Sequence, residues 1–213
     1  MLYLHHRIQC APRAWKSVAD EIIARSPATI EALGGQLYGI WRSQIGRPRD
    51  ELTVLTVWRE PLAGNGAASV FDNVRDVLQH TAVGMTPTLR PTSPEPPRRQ
   101  GNYAFRWFTT PARHWPEFLD LCTAAWPDFE SAYDSQIVGL WRAAPDEGNT
   151  VRSLLVTRRP DLAMWERSKL PANEAEVETR RKLSRRYDLC DDTVVYTSTL
   201  LTANDREDTA RWT

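Results

Sequence analysis

Cysteine is scarce in this chain: only Cys10, Cys122 and Cys190 occur, far apart and without a Cys-x-x-Cys spacing. That leaves no disulfide framework and no thiolate zinc site to expect, and a reducing compartment is the plain reading. Net charge is lacking too. The 27 basic side chains balance 27 acidic ones, so no bulk attraction to nucleic acid or to an anionic membrane is expected. No segment approaches the roughly 20 consecutive apolar residues that span a bilayer. The start, Met1 to Arg7, turns polar too early for a signal peptide. A cytoplasmic protein with no nucleic-acid partner and no membrane span follows. Also missing are Gly-x-Ser-x-Gly, Walker, His-Glu-x-x-His and strand-following Gly-x-Gly-x-x-Gly patterns, which disfavours hydrolases, nucleotide enzymes and zinc enzymes. Gly34-Gly35 and Gly64-Asn65-Gly66 read as turns rather than phosphate cradles.

What is present is a repeat. Gln36-Leu37-Tyr38-Gly39-Ile40-Trp41-Arg42 returns one hundred residues later as Gln136-Ile137-Val138-Gly139-Leu140-Trp141-Arg142. With no gap, 3–60 matches 103–160 also at Tyr3, Arg13, Trp15, Asp20, Ala24, Pro27, Ala32, Leu55 and Arg59. Chance would supply about three or four matches over such a stretch, so one unit used twice explains the register. The 213 residues accommodate two domains of about 100 residues.

The first unit reads in order as follows. Residues 2–10 form a strand, and Pro12 opens a helix marked by Trp15, Val18, Ala19, Ile22 and Ile23. Pro27 interrupts or kinks that helix, which reaches its stop at Gly34-Gly35. The repeated heptapeptide is the second strand, 46–50 the turn, and 52–58 the third strand. A helix over Ala67–His80 is marked by Val70, Phe71, Val74, Val77 and Leu78, and a short strand over 86–90 closes the unit. Residues 91–101 contain four prolines and little to bury, which makes a linker.

The second unit repeats the order: a strand over 103–108, then a helix opened by Pro111 and marked by Trp115, Phe118, Leu119 and Cys122. The hairpin of 136–142 and 151–157 follows across a loop at 146–149. A charged helix over 163–187 is broken by Pro171, a strand covers 194–200, and 203–213 is a mobile tail.

The predicted fold class is α+β: two tandem ferredoxin-like βαββαβ units, 1–90 and 102–202, whose sheets pack as an α/β barrel. Strict alternation would place Tyr38, Ile40 and Arg42 on one face of the second strand, and Leu37, Gly39 and Trp41 on the other.

These residues resemble a known family. Gly39-Ile40-Trp41-Arg42, then Gln44-Ile45-Gly46, then the run to Val57-Trp58-Arg59 are similar to the NIPSNAP hairpin, and Ala11-Pro12 is compatible with that family's turn into its first helix. The second half departs more, with Arg158 in the place of Trp58. Neither half keeps the family's tyrosine two places after the tryptophan, since Glu60 and Pro160 stand there. The resemblance implies a member of the dimeric α/β barrel superfamily, whose own family has no settled catalytic activity. Its relatives include small monooxygenases and haem-binding enzymes.

Candidate site residues are few. His5 and His6 point to opposite faces of a strand, so they do not form a metal site, and no metal is expected. Either of them, or Arg7, could face a cavity between the sheets. His80 reads as a helix-end residue, favourably placed against the helix dipole. It and His114 are the candidates for an axial ligand if haem is bound; otherwise no cofactor is expected. Arg42, Arg142, Arg59 and Arg159 stand at hairpin ends in both copies, where arginine can clamp a carboxylate or phosphate, or merely pair with an acid at the rim. Trp41 and Trp141 could wall a ligand, but packing against the helices is the simpler account for both.

Two functions are carried forward. One is a module that binds a small hydrophobic or anionic ligand, or a protein. The other is a cofactor-independent monooxygenase-like or haem-binding enzyme using the inter-sheet cavity. Whether the chain is an enzyme stays open at this point. Duplication internalises a dimer, so a monomer or weak homodimer is expected.

Overall fold

A computed structural model describes residues 1–60, 66, 70–145 and 148–205. Part of the turn at Gly64-Asn65-Gly66, the start of the helix expected from Ala67, Asp146-Glu147 and most of the expected tail lie outside the described residues. The chain forms two compact units: Met1–Thr86 with Ser93–Gln100 and Tyr196–Thr213, and Pro87–Thr92 with Gly101–Val195. Tyr196–Leu200, the end of the last strand, thus belongs with the first unit.

In the first unit, strands β1 (Leu2–Cys10), β2 (Gly35–Ile45), β3 (Glu51–Trp58) and β4 (Val77–Pro87) are joined by the end of β8 (Asp192–Leu200). Their order is β4-β1-β3-β2-β8, every pair antiparallel. Helix α1 (Trp15–Ala32) lies on one face. Its Trp15, Val18, Ala19, Ile22 and Ile30 pack against Leu4, Ile8, Ile40, Leu52, Val54 and Trp58 of the sheet. Each such large side chain fully buried contributes about 1.5–3 kcal/mol. The helix runs unbroken through Pro27, and buried Ile22 and Ile30 hold it to the sheet on either side of the proline.

The second unit has β5 (Asn102–Pro111), β6 (Gln136–Ala144) and β7 (Thr150–Arg159) in the order β5-β7-β6. The start of β8 is reached where the Asp191 N–H donates to the Thr109 carbonyl, 2.9 Å. Helix α2 (Trp115–Ala132) matches α1 one hundred residues on, with Pro127 inside it. The expected long charged helix is two: α3 (Leu162–Arg167) and α4 (Glu174–Asp188), broken around Pro171. The core joins Phe108, Ile137, Leu140 and Leu155 of the sheet to Phe118, Cys122, Trp126 and Phe129 of α2 and Leu183 of α4. Gly34 after α1 and Asp134 after α2 both adopt positive φ, 83° and 40°, the left-handed turn that ends a helix.

Two expectations are corrected here. Val77–Pro87 is strand, not the end of a helix, because this segment pairs with β1 from Cys10↔Val77 to Tyr3↔Met85. Leu78, expected on a buried helical face, is 63% exposed. The alternation along β2 is also reset. The register with β3 shifts between Leu37 and Gly39, and that of β6 with β7 between Ile137 and Gly139. This bulge turns Leu37 to the helix face beside Ile40, and leaves Gly39 and Trp41 on the other. Trp41 and Trp141 thus lie on the face opposite Ile40 and Leu140 of the helix-facing clusters, not on the face expected from packing against the helices. No described helix is long and apolar enough to cross a membrane.

The repeated glycines have a packing cause. A Cβ on Gly39 would lie 2.5 Å from the Trp41 indole, and one on Gly139 2.3 Å from that of Trp141. Both indoles are fully buried and have no room to yield. Gly84 is different, since a Cβ there would meet nothing nearer than 3.9 Å. Gly39→Ala and Gly139→Ala are therefore predicted to destabilise by about 1–3 kcal/mol, and Gly84→Ala to be neutral or mildly stabilising. Denaturant midpoints check this, and equal effects at Gly39 and Gly84 would contradict it.

Candidate functional site

Alternation on β5 and β7 brings unlike residues to the helix side of the second sheet. Ala104, Arg106 and Phe108 share one face of β5, and Leu155, Thr157 and Arg159 one face of β7. Phe108 and Leu155 complete the core, while Arg106, Thr157 and Arg159 line a cleft. Helix α4 closes it with Arg180, Leu183, Arg186 and Tyr187, which share one helical face. Ser168 and Lys169, just past α3, complete the polar lining, and Trp126 and Phe129 of α2 form an aromatic wall. The enclosed cavity is small, about 40 Å³, and reaches about 530 Å³ only when the surrounding empty space and the solvent at its mouth are included.

Five cations and no carboxylate are among the lining residues. Arg159 is 6% and Arg186 4% exposed. Their guanidinium planes rest on aromatic rings: Arg159 over Phe129 at 5.2 Å, and Arg186 over Phe108 at 5.0 Å and Phe118 at 5.5 Å. Arg106 lies over Tyr187 at 5.3 Å. Such contacts favour the cation but satisfy none of its N–H groups. One Arg186 N–H donates to Cys122 Sγ, 3.4 Å. The Nε and Nη1 of Arg159 and the Nε of Arg186 are buried without a hydrogen-bond partner. Burial, then repulsion from Arg186, Arg159 and Arg180, pushes the Arg106 pKa down to about 9. Burial lowers that of Arg159 to about 10. A bound anion would satisfy the N–H groups and neutralise the repulsion together.

The turn over the cleft is clamped by Glu176. Its carboxylate accepts from Arg167 Nη1 and Nη2, both 2.9 Å, from Tyr133 Oη at 3.1 Å and from the Ala172 N–H at 3.0 Å. The Arg167 bonds chiefly, then the Ala172 N–H, lower its pKa to about 2. Asn173 caps α4 by accepting from the Glu176 N–H, 2.9 Å. The clamping Glu176 lies in the chain between Lys169 and Arg180.

Of the residues expected from sequence to form a site, only Arg159 lines this cleft. Arg42 lies on α1's side, 4.0 Å over Trp15. Arg59 is exposed, in a groove with Gly35, Trp58 and Pro94. Arg142 is half-buried on β6, opposite Ser153. Arg7 is held by Glu51 at 2.6 and 3.1 Å. His5 and His6 do point to opposite faces. His5 Nε2 is 2.9 Å from Tyr196 Oη, whose pKa burial raises. His6 Nδ1 is 2.9 Å from His80 Nε2, and its Nε2 2.9 Å from Thr56 Oγ1. Burial, His80 and His5 hold the His6 pKa well below the usual imidazole range. His80 sits on β4 rather than at a helix end, so the dipole account of it falls. His114 is on the surface beside Arg113. No group of metal-ligating side chains occurs among the described residues.

Arg106, Lys169, Arg180 and Arg186 were missed by sequence reasoning. One signal was available: Arg106 is a lone charge within the aromatic strand Tyr103-Ala104-Phe105-Arg106-Trp107-Phe108. The cleft's lining does not fit a haem. It offers no imidazole, thiolate or thioether, and its single phenol, Tyr187, has a guanidinium over its ring.

No protein-family model matches the sequence, and no curated protein matches it. Solved structures do. A candidate monooxygenase from Lactobacillus acidophilus NCFM is 11% identical, with TM-score 0.55 over 95% of this chain and 96% of that one. A candidate chlorite dismutase is 14% identical, with TM-score 0.53 over 96% and 97%. A ferredoxin-fold protein related to antibiotic biosynthesis monooxygenases, from Listeria monocytogenes 4b F2365, is 10% identical, with TM-score 0.50 over 93% and 94%. At such identities the likeness shows the fold: the chain is α+β, built of ferredoxin-like units as in dimeric α/β-barrel proteins.

The Glu176 clamp predicts a pH effect. Its folded pKa of about 2 lies below the unfolded value of about 4.3. Its stabilisation is present above that unfolded value and is lost as pH falls towards about 2. Thermal midpoints of wild type and Glu176→Gln should differ at pH 6 and converge towards pH 2. A gap that stays constant would contradict this.

Proposed function

We propose that the protein binds a small organic anion in the cleft of its second unit. The carrying observation is the pair Arg159 and Arg186, buried against aromatic rings with three N–H groups unmet. Arginine suits this task because its planar donors match the geometry of oxyanions. Trp126, Phe129, Leu155 and Leu183 would give the ligand an apolar wall; of the expected alternatives, a hydrophobic or an anionic ligand, the guanidinium groups support the anionic one.

A second reading is a monooxygenase-like enzyme acting on an aromatic substrate. The descriptions of two neighbours favour it in general kind. The hydrogen-bonded pair His5 and Tyr196 is the place where such chemistry could move a proton. Oxygen uptake with a phenolic substrate, lost in His5→Ala, would support it, and no uptake by wild type would remove it. We further propose a monomer or weak homodimer, which light scattering after size exclusion checks; a tight tetramer would contradict it.

The binding reading is tested by thermal shift with a panel of aromatic carboxylates and phosphates at pH 7.5. An anion at about 100 times its Kd should stabilise by about 2.7 kcal/mol, or several degrees in Tm for a chain of this size. The gain should fall in Arg159→Gln. Hemin, by contrast, should give no Soret shift. Stabilisation equal in Arg159→Gln and wild type would contradict the assignment of the cleft.

A further inference from the structure

Resting on the organic-anion reading, we infer that the ligand is a phosphate monoester, with its phosphoryl group on Arg159, Arg186 and Arg106 and its apolar body against Trp126 and Phe129. Three observations carry this beyond a generic anion.

The first is charge. Arg106, Arg159, Lys169, Arg180 and Arg186 line one cleft without a lining carboxylate. A monoanion would leave most of that charge uncompensated in a partly desolvated site, where mutual repulsion is poorly screened. The second is the donor count. Three buried N–H groups lack partners, two on Arg159 and one on Arg186; a carboxylate can accept as many, as Glu176 does, but only in one plane and with a single charge. A phosphoryl group presents three terminal oxygens and about two charges at neutral pH. The third is the arrangement of sources. The cations come from β5, from β7, from the turn after α3 and from α4, so they surround a group rather than lie flat against one. Four of the five are arginines, which hold phosphate oxygens in fixed geometry.

The charged groups around the cleft act on one another. Arg159, Arg180 and Arg186 act on Arg106, and Lys169 feels Arg106, Arg180, Arg159 and, with the opposite sign, Glu166. The ligand adds its own second ionisation, near pH 6.

The experiment is isothermal titration of the full chain with three probes of similar body: phenyl phosphate, benzoate and phthalate. Phenyl phosphate is expected to bind about tenfold or more tightly than either carboxylate, from extra charge-assisted hydrogen bonds. Its affinity should rise through about pH 6. Benzoate should lack the rise. Arg159→Gln should lose about tenfold, and Arg113→Gln on the surface nothing. If Arg159→Gln does not fold, the wild-type pH profile decides. Benzoate or phthalate binding as tightly as phenyl phosphate, or no rise near pH 6, overturns the phosphate assignment while the organic-anion reading stands. Binding of none of the three overturns both.

Discussion

The two-residue alternation of a β-strand, reset once in each hairpin by a bulge, is the constraint on which the rest of this structure depends. It decides which side chains meet the helices. Without the register shift before Gly39 and Gly139, Leu37 and Ile137 would share a face with the two tryptophans, so the helix-facing core would either lose both aliphatic side chains or take in both indoles. A slip of one residue moves a strand's whole apolar set to the wrong face. The same rule on β5 and β7 puts Arg106 and Arg159 beside Phe108 and Leu155. The cleft is thus a by-product of core packing in which two core-facing positions carry guanidinium groups.

Those positions are costly. Burying an arginine without an acid forfeits hydration, and cation–π contacts return only part of it. The Glu176 clamp shows the opposite solution within the same unit. There a carboxylate accepts from Arg167, Tyr133 and Ala172, and the turn is fully satisfied. The contrast is physical: one polar cluster is complete by itself, whereas in the neighbouring one three N–H groups of Arg159 and Arg186 have no hydrogen-bond partner. The histidines of the first unit are likewise already engaged, His5 with Tyr196 and His6 with His80 and Thr56.

Much of the fold was legible because its signals are local. Trp15, Val18, Ile22 and Ile30 mark α1, and the hairpins announce themselves through glycine turns and β-branched runs. The β4 segment was not, because Val70, Val74, Val77 and Leu78 satisfy a helical period while pairing with β1 is a long-range fact. Trp41 was assigned to the wrong face because a bulge leaves no local signature beyond a glycine. In the site, Arg159 was legible as one of a repeated set, whereas Arg42, its companion in that set, turned out to lie over Trp15. Arg186 and Lys169 depend on how α3 and α4 fold back onto the sheet, which no spacing in the chain encodes.

The most direct measurement is a crystal structure of the full chain grown with phenyl phosphate. The account predicts the phosphoryl group within hydrogen-bond distance of Arg159 Nε and Arg186 Nε, with the phenyl ring against Trp126 and Phe129. A cleft without the ligand, its guanidinium groups paired instead with carboxylates of the chain, would contradict it.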